Sequence, residues 1–397
     1  MTQQYDEFLK PGLNRDNNML LRTKGIAGNF EQPIVGRITR DRNAPAHHAI
    51  LISEDSPPPS PVDGFACILS SAETRPTTSY PHVFGIPNFD HLAEGDVVVA
   101  GPDGNIRTLY RVNSHHNTLV VTERCNSNCL MCSQPPKDRD DIPRLFGIYR
   151  ELIPLIPKDC PELMISGGEP TLMGERFFQL LAHIKTHLPG TEIHVLTNGR
   201  SFAWADLAEK LAALDYHRLM LGVPVYADYY QLHDYIVQAR DAFHQTILGL
   251  HNLARYGQRI EIRVVLHRQT IPRLTKLSRF IYKYLPFAEQ VAFMGLEYVG
   301  YTPHNEQQLW IDPYDYREQL TEAVEFLASQ GMNVSIYNSQ LCVLPEVLWP
   351  YAKKSISDWK QSYLPECASC AKLNDCGGLF TWNLKKPSAH IRAFANV

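Results

Sequence analysis

Between Thr118 and Gly331 short apolar runs alternate with segments of helical spacing, and no other feature narrows the fold as far. TLVVTE, ELMIS, TEIHVLT, RLMLGVPV, RIEIRVVL and QVAFMGLEYV read as strands. Each is followed by a helical pattern, from PRLFGIYRELIPLI after the first to YREQLTEAVEFLASQG after the last. DAFHQTILGLHNLARYG carries its own stop signal, with Gly257 suited to the left-handed position past a helix end. Strands joined through helices in this way lie parallel, with right-handed crossovers. A closed barrel of this kind takes eight units. The six units here predict a partial (β/α)6 barrel in an α/β chain.

The flanks differ. The first 115 residues carry many prolines and short apolar runs such as PIVGRI, HHAILIS and GFACILS. LAEGDVVVAGPDGNIRTLYRV reads as strand, turn and strand. A small N-terminal all-β domain is expected, with a barrel as one arrangement, and SEDSPPPSPVDG should be an exposed loop. The chain divides into 1–115 (β-rich), 116–312 (partial barrel) and 313–397 (a helical, cysteine-rich module).

The 38 basic and 42 acidic residues leave a formal charge of −4, which argues against a nucleic-acid partner. No apolar run is long enough to span a membrane, and MTQQYDEFLKPGLNRD lacks the basic start and apolar core of an export signal. A cytoplasmic location is expected. In that reducing compartment, six of the nine cysteines falling into two tight groups point to metal rather than disulfides. Cys67 and Cys160 read as small buried hydrophobes.

The first group, Cys125-x3-Cys129-x2-Cys132, directly follows the first strand of the alternating region. Ligands of parallel α/β folds gather at the carboxyl ends of strands. Three thiolates can hold three irons of a [4Fe-4S] cluster and leave the fourth iron open, whereas an electron-carrying cluster normally has four protein ligands. The competing reading is a zinc site that borrows a distant fourth ligand.

With Ser166-Gly167-Gly168-Glu169-Pro170 after the second strand and Thr197-Asn198-Gly199 after the third, the region resembles the radical S-adenosylmethionine (radical SAM) superfamily over about 118–300. The resemblance implies a radical SAM barrel with S-adenosyl-L-methionine on the open iron. One electron from an external donor would cleave it to methionine and a 5′-deoxyadenosyl radical, which abstracts hydrogen from the substrate. It also implies cofactor contacts from Gly167, Gly168, Glu169, Pro170 and Asn198. The Glu169 carboxylate suits an ammonium partner, and glycine permits close backbone approach. Met131 stands where an aromatic residue is usual, and its thioether can still pack on an adenine face. Arg263 is the candidate donor to the SAM carboxylate, with a structural arginine as the alternative. Met294 and Leu296 are candidates to flank the adenine, though core packing suits them as well. His233 and Asp234 suit either a substrate-orienting or a structural role, and the His115–His116 pair reads as a solvated turn.

The second group is Cys367-x2-Cys370-x5-Cys376, with Cys342 upstream. Four thiolates make a closed site, a second [4Fe-4S] cluster or a structural zinc. The spacing resembles the auxiliary-cluster extensions of peptide-modifying radical SAM enzymes, which favours the cluster.

TERCNSNCLMCSQPP, ISGGEPTL, EGDVVVAGPDG and LCVLPEVLWPYAKKSISDW before CASCAKLNDCGG together resemble one narrower family, the His-Xaa-Ser system radical SAM maturases, HxsC. That resemblance implies a precursor protein with His-Xaa-Ser repeats as substrate, and a partner radical SAM protein HxsB and small protein HxsD. A radical SAM enzyme for small molecules, a zinc-stabilised binding protein and a scaffold for a catalytic partner are the alternatives.

Overall fold

The computed structural model describes residues 21–43, 46–53, 64–74, 79–355, 357 and 361–395. The proline-rich loop read at SEDSPPPSPVDG lies, apart from its first and last residues, outside the described residues.

Among the described residues eight strands build the N-terminal domain: β1 (Arg22–Lys24), β2 (Ile26–Gly28), β3 (Ile34–Thr39), β4 (Ala49–Ser53), β5 (Cys67–Ser70), β6 (His82–Phe84), β7 (Val97–Ala100) and β8 (Asn105–Tyr110). They pair in the order β1-β8-β7-β3-β4-β5-β6-β2. A flat sheet of eight strands would put its edges roughly 34 Å apart. Yet β1 and β2 occupy opposite ends of the order with only Gly25 between them, so the sheet rolls up. One bent segment closes it, pairing with β8 through Lys24 and with β6 through Ile26. Gly25 is required at the bend, since a β-carbon there would stand 2.4 Å from the Phe84 carbonyl oxygen. Ile38, Ile50, Leu69, Val83, Val98 and Ile106 fill the interior. The strand–turn–strand reading of 97–110 matches β7 and β8.

The second sheet comprises β9 (Asn117–Val120), β10 (Glu162–Ser166), β11 (Glu192–Leu196), β12 (Leu219–Pro224), β13 (Arg259–Leu266), β14 (Gln290–Gly295), β15 (Val334–Tyr337) and β16 (Ala352–Lys353), in sequence order and all parallel. The helices are α1 (Ile142–Leu152), α2 (Glu175–His187), α3 (Ala205–Ala212), α4 (Tyr230–Val237), α5 (Ala242–Arg255), α6 (Leu274–Tyr284), α7 (Glu306–Leu309) and α8 (Arg317–Ser329). All six sequence-derived units are present, and the sheet runs on by two short strands. β15 has four residues and β16 two, too few for a legible period. Leu320, Val324, Leu327, Val334 and Ile336 join the main core, so the barrel layer continues beyond residue 312.

Alternation along β13 shows how the sheet is used. Ile260, Ile262, Val264 and Leu266 are buried beneath helical residues such as Leu250, Leu253 and Leu277. Arg259, Glu261, Arg263 and Val265 face the other way. The sheet curls around that second face. A flat sheet would separate β9 from β14 by roughly 24 Å, yet the Tyr301 amide beyond β14 donates to the Cys132 carbonyl beyond β9 at 2.9 Å. The N-terminal domain rests on the barrel through Val35, Val97, Val99 and Tyr110, and the Arg37 guanidinium donates to the Leu155 carbonyl. Among the described residues no helix is long and apolar enough to cross a membrane.

Candidate functional site

The cysteine loop is held from three directions. From β10, the Gly168 amide donates to the Thr122 carbonyl and the Glu169 amide to the Arg124 carbonyl, both at 2.8 Å. From the end of α4, the Val237 and Ile236 carbonyls accept from the Asn128 and Leu130 amides at 3.0 and 2.9 Å. From beyond β14, the Asn305 side-chain amide donates to the Leu130 carbonyl at 2.8 Å. All three thiols are free and half-buried. Burial pushes Cys125 and Cys132 up to about 11 and Cys129 higher still. The neighbouring thiols add to the rise at Cys129, and a hydrogen bond from the Ser127 backbone opposes it at Cys125. Such thiols stay protonated until a cation compensates them. Among the described residues no three His, Cys, Asp or Glu side chains form a group that fits a single metal ion.

The two glycines lie against the cysteine loop. Close backbone approach is what they provide, but the near neighbour is the cysteine loop itself. A β-carbon on Gly168 would lie 2.0 Å from the Arg124 carbonyl oxygen, and one on Gly167, at φ +148°, 2.4 Å from that of Thr122. The Glu169 side chain is held within the protein. Its carboxylate is fully buried. Oε1 accepts from the Thr171 amide (3.1 Å), the Thr171 hydroxyl (2.7 Å) and the Thr197 hydroxyl (2.7 Å), and Oε2 from the Asn198 amide (2.7 Å). A carboxylate so engaged joins the ends of β10 and β11. Pro170 begins the short 3-10 turn that Glu169 caps.

Asn198 lies beside the loop, its Nδ2 donating to Asn126 Oδ1 at 2.6 Å. Arg200, unmarked in the sequence pattern although it directly follows Thr197-Asn198-Gly199, reaches the same place and donates to the Asn126 carbonyl and Ser127 Oγ. Tyr226, at the end of β12, is also new. It is buried against the loop, and burial, then the thiols of Cys129 and Cys132, hold its phenol well above its ordinary pKa. Neither residue carries a motif signal; only their position after a strand end marks them.

Arg263 lies inside the curl, its Nη1 donating to the buried Glu261 at 2.7 Å, with His194 Nε2 3.5 Å from the same carboxylate. Its charge is thus partly committed within the protein. Met131 is 7 % exposed in an apolar cluster with Tyr226, Ile236, Val237 and Leu309, against which Leu296 also packs. Met294 is half-buried on the inner face of β14. His233 Nδ1 accepts from the Tyr226 amide at 3.3 Å, and Asp234 accepts from the Phe243 amide at 2.8 Å, the structural alternative for both.

The C-terminal cysteines converge. Cys342, Cys367, Cys370 and Cys376 line one cavity with Tyr363, Lys372, Arg392 and Phe394. The segment is pinned by reciprocal 2.8 Å backbone bonds between Ser362 and Leu379, and Gln340 Nε2 donates to the Gly378 carbonyl at 2.8 Å. Burial raises the Cys342 and Cys367 thiols, and the Cys376 thiol raises both further.

Residues 119–281 match the model of the Radical SAM superfamily. The chain therefore carries a radical SAM domain, and such a domain implies a [4Fe-4S] cluster and S-adenosylmethionine. The free thiols of Cys125, Cys129 and Cys132, on one loop at the carboxyl end of β9, fit that group. No curated protein sequence matches the chain. Among solved structures, Streptococcus suis SuiB bound to precursor peptide SuiA is similar at 17% identity and TM-score 0.45, over 56% of this chain and 48% of that one. SuiB bound to S-adenosylmethionine is similar at 18% and 0.46, over 63% and 55%. The native anSMEcpe with bound AdoMet is similar at 20% and 0.41, over 55% and 62%. The chain thus spans about half the length of the SuiB chains it matches.

Proposed function

We propose that the protein is a radical SAM maturase that modifies a peptide or protein precursor, of the His-Xaa-Ser repeat type, together with HxsB and HxsD. The observation that carries the radical chemistry is the loop that presents Cys125, Cys129 and Cys132 at the carboxyl end of β9, within the matched domain. Those thiolates would hold a [4Fe-4S] cluster, and with S-adenosylmethionine bound it supplies a 5′-deoxyadenosyl radical upon one-electron reduction. The chain's own residues set the frame. Glu169 ties β10 to β11 behind the loop, and Asn198 and Arg200 grip it from β11. The inner face of the sheet, with His194, Glu261 and Arg263, offers polar groups to a substrate entering the curl. Cys342, Cys367, Cys370 and Cys376 would hold a second [4Fe-4S] cluster; the zinc alternative would require the four thiols to rearrange. The His-Xaa-Ser assignment rests on the sequence resemblance of the cysteine, SGGEP and tail segments.

Iron, acid-labile sulfide and zinc per chain after anaerobic reconstitution test the reading, with a Cys125/Cys129/Cys132 triple-alanine variant alongside. About eight irons in the intact protein and about four in the variant are expected. Zinc without sulfide in both would defeat it. Co-expression with a His-Xaa-Ser repeat precursor, HxsB and HxsD should give a precursor mass change that the triple variant abolishes. An unchanged mass with all components present would remove the substrate assignment.

A further inference from the structure

Resting on the radical SAM reading, we infer that Arg200 is a positioning residue for the first cluster, one that shapes the Cys125–Cys129 segment and places a fixed positive charge beside its thiolates. The side chain is locked at both ends. Gly199, at φ +75°, turns the chain off β11, and the Arg200 amide donates to Asn198 Oδ1 at 3.0 Å. Nε donates to Gln245 Oε1 on α5 at 2.7 Å. Nη1 then reaches the Asn126 carbonyl and, at 3.2 Å, Ser127 Oγ. Asn126 and Ser127 lie between the first two cysteines, and the Ser127 backbone hydrogen-bonds to Cys125. Ser127 itself is 7 % exposed, so the grip is on an ordered part of the loop.

A half-buried guanidinium usually pairs with a carboxylate. Among the described residues Arg200 makes no such ion pair; its hydrogen bonds go to neutral oxygens. Its Nη1 carries that charge to the backbone between Cys125 and Cys129. Three thiolates around a four-iron core leave a net charge of about −1, and one electron takes it to about −2. A fixed cation nearby stabilises the more negative state more strongly. Arg200 should therefore raise the midpoint potential of the first cluster and ease its reduction by the external donor.

The test compares R200Q, R200K and Q245A with wild type after anaerobic reconstitution, by iron and sulfide content and by electron paramagnetic resonance during a redox titration. R200Q should lower the midpoint potential of the first cluster and speed its loss to chelator several-fold. R200K keeps the charge and loses the two-sided grip, so its potential should stay near wild type while cluster loss quickens. Q245A frees the guanidinium without removing it, and covers the case that R200Q does not fold; it should speed cluster loss. R200Q with wild-type potential would overturn the electrostatic role, and Q245A and R200K with wild-type retention would overturn the grip. Wild-type protein with no cluster on the trio would instead overturn the radical SAM reading beneath both.

Discussion

Gly168 lies directly against the backbone of Arg124, where a β-carbon would stand 2.0 Å from the carbonyl oxygen. This contact joins the turn after β10 to the base of the cysteine loop, beside the 2.8 Å bonds from the Gly168 and Glu169 amides. Replacement with alanine must push the two apart. We expect G168A to cost about 1–3 kcal/mol and to reduce iron by about half through loss of the first cluster alone. Iron analysis with a denaturant titration checks it; wild-type iron content would show that the contact does not hold the loop.

Glu169 predicts a stability effect independent of any ligand. Its oxygens accept four hydrogen bonds in a fully buried site. In E169Q the side-chain amide must face at least one of those donors, a loss of about 1–3 kcal/mol. T197V removes one donor to Glu169 and the acceptor of the Gly199 amide, and should cost about 1–3 kcal/mol. Urea unfolding measures both. A carboxylate serving only a bound cofactor would leave the cofactor-free stability of E169Q unchanged.

Two buried histidines set an acid dependence. Burial lowers His233 and His267 to about 3. In the unfolded chain both titrate near 6.5, so below that pH the unfolded state binds the extra protons. Their contribution is fully present above about 6.5 and declines as pH falls toward 3, on the order of 1 kcal/mol per pH unit for each histidine. Urea midpoints between pH 7 and pH 5 should fall, and H233N should flatten the slope. An equal slope in the variant would exclude His233 as a source.

The C-terminal segment is tied to the barrel mouth through Asn383, whose Oδ1 accepts from the Tyr298 amide (2.8 Å) and whose Nδ2 donates to the Leu296 carbonyl (2.9 Å). Asp312 adds bonds from Ser388 and Ala389. N383A should raise amide exchange over 296–306 and 381–390 at least several-fold while leaving the N-terminal barrel protected. Unchanged exchange in both segments would mean that Lys386–Glu306 and Asp312 suffice.

G25A tests closure of the N-terminal barrel. A methyl group there meets the Phe84 carbonyl and the Val83 and Ile86 side chains. A cost of about 1–3 kcal/mol in thermal or urea unfolding is expected, with iron content unchanged. Loss of iron would show that the barrel's closure supports the cysteine loop at a distance.

The six strand–helix units were legible because each strand buries one face under its own helix, which leaves a local apolar period. The cysteine loop was legible because its three cysteines are neighbours in sequence. The four C-terminal cysteines were grouped by spacing, and they do line one cavity. What only the tertiary structure decided depends on partners far apart in the chain. Glu169 reads as a ligand contact because its glycines and charge suit one; of the four donors on its carboxylate, Thr171 supplies two locally and Thr197 and Asn198 supply two from a strand away. Arg200 left no sequence signal because its role depends on the sheet bringing residue 200 beside residues 126 and 127, 74 and 73 positions earlier. β15 and β16 were too short to show a period, and pairing with an existing sheet edge is what makes them strands. Local patterns determined the class of fold and the grouping of the cysteines, because propensity and spacing act within a few residues. Curl, closure and the clamp on the loop were decided by packing, which no single stretch of sequence contains.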